Sequence, residues 1–138
     1  MAKDFFHDHV RAALEQSGWT ITDDPLTYDF GFTSYKIDLG AEQMFGARKG
    51  PELIAVEVKS FLGPSKVYQL HAAFGQYLNY KAALMQKDPE RKLVLAVPME
   101  LYDSLLKEEL IKVSLVALSA TLLLYDPEDI KNVAWKKY

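Results

Sequence analysis

The sequence predicts a mixed α/β domain: an αβββαβ core, followed by a further helix and two strands, that builds a central mixed sheet flanked by helices. Three observations carry that prediction. Residues 4–17 space their apolar side chains at the helical period, residues 33–39 alternate with the period of a strand, and a long helical segment at 66–86 lies between two short apolar strands. The 138 residues suit one domain, 1–138, large enough to bury a core without disulfide or metal staples.

In the first helix Phe6, Val10 and Leu14 form the apolar stripe, Asp4 is placed to cap the start, and Gly18 to end it. Trp19-Thr20-Ile21-Thr22 reads as an extended exit and Asp23-Asp24-Pro25 as a turn. Strands are expected at 26–30 and 33–39 around Gly31; in the second, Tyr35, Ile37 and Leu39 share one face, and Lys36 and Asp38 the other. The stretch Gly40 to Pro51 holds Gly40, Gly46 and Gly50 with Arg48-Lys49, and reads as a loop. Residues 52–61 form the third strand, broken by Gly63-Pro64-Ser65, with Ser65 placed to cap the long helix. That helix ends at Asp88-Pro89-Glu90. A strand at 92–97, a helix at 99–118, a buried strand at 121–125, a turn at 126–129 and a last strand at 130–135 complete the chain.

Apolar residues make up 49% and charged residues 25%, the balance of an ordinary globular protein. The absence of cysteine excludes thiolate zinc sites, cysteine nucleophiles and disulfides, and fits a cytoplasmic location. No window approaches the ~18 consecutive apolar residues of a membrane span. A net charge of −3 argues against a strongly basic nucleic-acid binder acting alone. It leaves DNA chemistry open, since a nuclease centre is itself acidic and a partner can supply cations.

The strand Leu53-Ile54-Ala55-Val56-Glu57-Val58-Lys59 begins as an interior strand and then places Glu57 and Lys59 on one face, about 7 Å apart. Charges in such a strand need partners. A simple ion pair, or a strand end reaching water, is one explanation. The other is a site shared with Asp38, nineteen positions before Glu57. If the two strands form a hairpin, Asp38, Glu57 and Lys59 converge at one edge of the sheet. Two carboxylates, with the Val58 carbonyl, make a hard oxygen site suited to Mg²⁺ or Mn²⁺. Lys59 could then orient or deprotonate the attacking water and stabilise a pentacovalent phosphate.

The pattern Ile37-Asp38 … Val56-Glu57-Val58-Lys59 on this core resembles the PD-(D/E)xK nuclease superfamily, with its restriction-endonuclease-like fold, over residues 4–97. Ile37 stands where that motif has proline. Gln76 and Tyr80, four apart on the long helix, are similar to a Gln-x-x-x-Tyr of RecB-like nucleases. This implies that Gln76 orients Glu57 or a phosphate and that Tyr80 contacts the DNA backbone; the alternative is a polar face beside the Leu70, Phe74, Tyr77 stripe, and Gln69 is open to either reading. The resemblance also implies an acidic or histidine contribution from the first helix, for which His7 is the best placed. His9, Asp8 and Glu15 compete, each with a solvated face as the alternative, and Glu42 and Lys36 are further candidates.

The whole chain is similar to a narrower family, XisH, the excision-controlling factors of cyanobacterial DNA elements. Ala2-Lys3-Asp4-Phe5-Phe6-His7, Gly18-Trp19-Thr20-Ile21-Thr22, Ile37-Asp38-Leu39-Gly40-Ala41-Glu42, Ala55-Val56-Glu57-Val58-Lys59-Ser60-Phe61 and Gly75-Gln76-Tyr77-Leu78-Asn79-Tyr80 carry the similarity. It implies a role in programmed DNA excision beside a companion protein, XisI, and a separate site-specific recombinase. The expected partners are therefore DNA, weakly bound by the chain alone, XisI and the recombinase; a homo-oligomer stays open. Three readings stand: a metal-dependent nuclease, a catalytically silent regulator that keeps the fold to bind XisI, the recombinase or DNA, and a structural ion-pair cluster.

Overall fold

The computed structural model describes residues 4–44 and 51–138. Ala2, Lys3, Gly46, Gly50 and the Arg48-Lys49 pair lie outside the described residues. The elements are α1 (His7–Gln16), β1 (Thr20–Asp23), β2 (Leu26–Asp29), β3 (Ser34–Ile37), β4 (Leu39–Met44), β5 (Pro51–Val58), α2 (Lys66–Lys87), β6 (Lys92–Pro98), α3 (Met99–Leu101), a π-helical turn (Tyr102–Leu106), α4 (Glu109–Ala117), β7 (Thr121–Asp126) and β8 (Asp129–Lys137).

Six strands form a mixed sheet in the order β1-β4-β5-β6-β7-β8. The β5/β6 and β6/β7 pairs are parallel and the other three antiparallel. Parallel neighbours need a crossover, and α2 and α4 supply the two required. The expected mixed sheet flanked by helices is thus present. Because side chains alternate along each strand, the sheet feeds two cores. Ile54, Val56 and Val58 pack with Val10 and Leu14 of α1, whereas Ala55 packs with Leu70 and Tyr77 of α2. Ser65 Oγ caps α2 by accepting the Tyr68 N–H at 3.3 Å, Gly18 leaves α1 at φ +96°, and Asp4, two residues upstream of Phe6, accepts the Phe6 N–H at 3.0 Å.

The three strands of the αβββαβ core are not the three expected. Residues 26–29 and 34–37 pair only with each other, as a separate two-stranded ribbon. The strands that join the central sheet are β1, read from sequence as an extended exit, and β4, read as the start of a loop. Gly40 misled for a physical reason. A Cβ there would lie 2.9 Å from Asp23 Oδ2 and 3.2 Å from Asp23 Cβ, so the glycine marks a close approach inside a strand rather than a turn.

Two further expectations need correction. Ile37 and Leu39 do not share a face: Ile37 packs in the α2-side core and Leu39 in the α1-side core, because the chain bends at Asp38 between β3 and β4. The helix expected at 99–118 is interrupted by the π-helical turn and by Glu108, whose extended backbone (ψ 136°) starts α4 afresh.

Tyr77 ties α2 to the sheet. Its buried hydroxyl donates to the Leu93 carbonyl at 3.0 Å and accepts the Thr121 N–H at 3.1 Å, so one group serves both β6 and β7. Tyr77→Phe should therefore destabilise the fold by about 1–3 kcal/mol, lowering the thermal midpoint by roughly 3–10 °C. An unchanged melt would mean that water, not Tyr77, serves Thr121.

Candidate active site

The β4/β5 ladder runs from Met44↔Pro51 to Leu39↔Val56 and then stops. Beyond it the Val58 N–H would have no main-chain partner. Asp38, at the bend, supplies one: its Oδ2 accepts the Val58 N–H at 2.7 Å. The Asp38 N–H in turn approaches Glu57 Oε1 at 3.3 Å. Side chains thus continue the ladder, and this brings Asp38 beside Glu57. An N–H and C=O of one strand residue point to the same side, so the Val58 carbonyl faces the Asp38 edge as well.

Glu57 emerges on the α2 side and is only 7% exposed. Lys59, two residues on, sets its Nζ 3.4 Å from Glu57 Oε2. Burial, then the neighbouring Asp38 charge, pushes the Glu57 carboxyl up to about 8 despite Lys59. Burial also raises Asp38, against the Val58 N–H and the nearby His7 and Lys59, and a hydrogen bond joins the Asp38 and Glu57 carboxyls. Both carboxyls are thus pushed toward their protonated form.

Around this pair α2 presents Gln76 and Tyr80. Gln76 Nε2 donates to the Tyr80 hydroxyl at 2.9 Å, and that hydroxyl donates to the Lys36 carbonyl at 2.9 Å. Tyr80 is 8% exposed, and burial followed by the Glu57 and Asp38 charges raises it to about 12. Gln76 Oε1 is left buried and without a partner. Gln69, Gln76 and Lys59 line a cavity of about 330 Å³.

Of the first-helix candidates, His7 is the one brought to the site. It is 3% exposed, with Nε2 2.7 Å from Asp24 Oδ1 and Nδ1 4.0 Å from Asp38 Oδ1. That Nδ1 has no hydrogen-bond partner. His9 is turned to the Asp126 carbonyl at 2.7 Å, and Asp8 and Glu15 are exposed. Glu42 pairs with Leu53, four residues along β5 from Glu57, and the Lys36 side chain is exposed.

Several supporting residues were not legible as such. Asp24 holds His7 and is itself held by Arg11 Nη1 at 2.6 Å. The Tyr125 hydroxyl donates to the Lys59 carbonyl at 2.9 Å, and Asp4 Oδ2 accepts the Ser60 N–H at 3.0 Å. Phe61 sits at φ +55°, its carbonyl taken by Lys66 Nζ at 2.8 Å. Their separations from the residues they hold, up to 66 positions, leave no local signal.

The donor set can be tested against a divalent cation. Among the described residues no three His, Asp or Glu side chains gather as metal ligands. The Asp38 and Glu57 carboxyls are joined by a hydrogen bond, however, and the Val58 carbonyl faces the same edge. Their negative charge, opposed by Lys59 and the nearby His7, is what a hard cation would neutralise. The residues fit an ion that keeps part of its water.

The fold and site together define a mixed α/β domain of nuclease-like architecture, with an acidic pair and a lysine at the end of an interior strand. The chain belongs to the XisH family: the model of the XisH protein matches residues 1–133. The crystal structure of an XisH family protein from Nostoc punctiforme PCC 73102 is 40% identical, with TM-score 0.85, covering 96% of this chain and 98% of that one. That of an fdxN element excision controlling factor protein from Anabaena variabilis is 37% identical, with TM-score 0.83, covering 94% and 96%. Comparison with curated proteins found no match. Among the described residues no helix is long and apolar enough to cross a membrane.

The raised Glu57 carboxyl gives a pH dependence of defined sign. Glu57 is raised from its ordinary 4.5 to about 8, so across that window the folded state binds more protons than the unfolded one. Stability is then fullest below about pH 4.5 for this group and falls as pH rises through 8. In chelator-treated protein the thermal midpoint should drop between pH 5 and 8, and Glu57→Gln should flatten the drop. Equal pH profiles for the two proteins would place the proton elsewhere.

Proposed function

We propose that this protein is an excision controlling factor whose Asp38, Glu57 and Lys59 form a metal-dependent phosphodiester-cleaving centre acting on DNA. One observation carries the reading: Glu57, 7% exposed and with Asp38 beside it, lies 3.4 Å from the Lys59 ammonium at the end of β5. A strand that needed only stability would be better served there by apolar side chains. The role in excision rests on the family and on the description of the Anabaena variabilis relative.

In this reading Asp38, Glu57 and the Val58 carbonyl would hold Mg²⁺ or Mn²⁺. Bound there, the ion supplies Lewis acidity at a phosphate oxygen and acidifies a coordinated water. Lys59, 31% exposed and facing the cavity, donates to a phosphate oxygen and stabilises the charge that develops on it. Tyr80, its hydroxyl engaged on both sides, positions Gln76, and the free Gln76 Oε1 accepts from the attacking water or a neighbouring donor. Asp24 fixes the His7 ring behind Asp38.

A second reading, a regulator that keeps the fold and does not cut, is favoured by the absence of a third acidic or histidine ligand among the described residues. Cation binding and DNA cleavage separate the two. Calorimetry with Mg²⁺ or Mn²⁺ should show binding to the native chain, with a raised thermal midpoint, and neither in Asp38→Ala. Nicking of supercoiled DNA should need the cation and fall at least about 100-fold in Lys59→Met. Equal stabilisation of both proteins by Mg²⁺ means that the cation binds elsewhere; binding without nicking selects the regulator.

DNA affinity comes chiefly from neutralised phosphates, and this chain sets 16 basic residues against 19 acidic ones. We infer that an XisI-like companion, with or without the recombinase, supplies the missing positive surface. The isolated chain should bind duplex DNA weakly with a shallow salt dependence, and the complex more tightly. A salt titration with and without the companion checks this; tight, steeply salt-dependent binding by the chain alone would overturn it.

A further inference from the structure

At the other end of β5 the α1 face of the sheet carries a second polar layer. Strands β4 to β8 each contribute an outermost inward residue: Gln43 from β4, Glu52 from β5, Lys92 from β6, Thr121 from β7 and Lys137 from β8. They follow from period-two alternation, since Ile54, Val94 and Trp135, the next residues on the same face, are apolar. α1 ends at Gln16 and does not cover this layer. What remains is a cavity of about 320 Å³ lined by Trp19 and Trp135 together with those five polar side chains.

The lining has a definite chemistry. The chain has two tryptophans, and both are here, with ring centroids 6.1 Å apart and planes tilted by 39°. Trp19 is the buried wall at 7% exposure and Trp135 the open one at 37%. Among the described residues neither Lys92 nor Lys137 forms an ion pair. Gln43 is held at the mouth by donating to the Ser17 carbonyl at 3.2 Å, which leaves its own carbonyl oxygen as an acceptor. It can lie there because position 18 is glycine: a Cβ would come 2.7 Å from Gln43 Nε2. A planar π-face to stack on, two free ammonium groups, and a carboxylate and amide oxygen to accept from amino groups meet in one cavity of ligand size.

We propose that this cavity binds a nucleoside monophosphate unit, with the base on Trp135, its amino edge toward Glu52 or Gln43, and the phosphate between Lys92 and Lys137. The unit is either a free nucleotide or one unpaired nucleotide of a single strand, for which stacking and cationic contacts are the usual recognition. The cavity is separate from the carboxylate pair: Glu52 lies five residues from Glu57, about 17 Å along the strand. The inference does not depend on cleavage.

Because both tryptophans line this cavity, their fluorescence reports on it. The full chain is titrated with dAMP, with a short oligodeoxyadenylate and with deoxyadenosine, exciting at the red edge of the indole band where adenine does not absorb. Saturable quenching by dAMP or by the oligonucleotide is expected, and which of the two binds more tightly identifies the source. Deoxyadenosine should bind at least about tenfold more weakly, and the double variant Lys92→Ala, Lys137→Ala should lose a similar factor for the phosphorylated ligands. Circular dichroism confirms that this variant is folded; if it is not, the charge-keeping pair Lys92→Arg, Lys137→Arg should retain binding and Lys137→Ala alone should weaken it. Asp38→Asn should bind as the native chain does. No saturable response to either phosphorylated ligand, affinity indifferent to the lysines, or a response abolished by Asp38→Asn overturns the proposal.

Discussion

The hydrogen bond from the Val58 N–H to Asp38 Oδ2 organises the centre of the molecule. β4 and β5 pair as far as Leu39 and Val56, and at Asp38 the chain must bend so that Ile37 can enter one core and Leu39 the other. The bend removes the main-chain acceptor that Val58 would have met. A buried N–H left unpaired costs about 1–3 kcal/mol; the Asp38 carboxylate meets that need. Once the carboxylate is there, Glu57 lies beside it, and the Asp38 charge adds to the burial that raises the Glu57 carboxyl against the pull of Lys59.

Much of this was legible in the sequence where a period was long or unbroken. α2 and the strands β5, β6 and β7 declare themselves by apolar spacing, and period-two alternation was enough to place Glu57 and Lys59 on one face. β4 was hidden because Gly40 serves a close approach to Asp23, which has no local signature. The hairpin considered between residues 33–39 and 52–61 holds only at Leu39, which pairs with Val56; β3 pairs with β2, and the rest of β5 pairs with residues 40–44. Asp38 nevertheless arrives beside Glu57, because it occupies the bend that joins β3 to β4. Asp24, Tyr125 and Asp4 reach the site across 17 to 66 positions, and only the fold makes them neighbours.

The two ends of β5 illustrate how one interior strand can serve two environments. Its first inward residue on the α1 side, Glu52, belongs to an open polar layer with uncommitted lysines. Its last residues place a carboxylate at 7% exposure, where desolvation outweighs everything else acting on it. The same residue type is thus partly exposed at one end and almost fully buried at the other. The difference is set by cover: α1 stops short of the first, while α2 lies over the second.

Features that work against stability gather at the second end. Gln76 Oε1 and His7 Nδ1 are buried without partners. Phe61, one of two non-glycine residues at positive φ among those described, is held there by Lys66. A left-handed backbone at such a residue costs about 1–3 kcal/mol, and each orphan atom a comparable amount. Scattered through the molecule, these would be ordinary imperfections. Collected around a carboxylate pair, and propped by Tyr125, Asp4 and Asp24, they describe a region where the fold sustains unfavourable local choices because neighbouring contacts over-determine it. Sequences break local rules in this way chiefly where side chains serve chemistry. That ties the strain to the surroundings of the Asp38, Glu57 and Lys59 cluster, where the β4/β5 ladder passes from main chain to side chains.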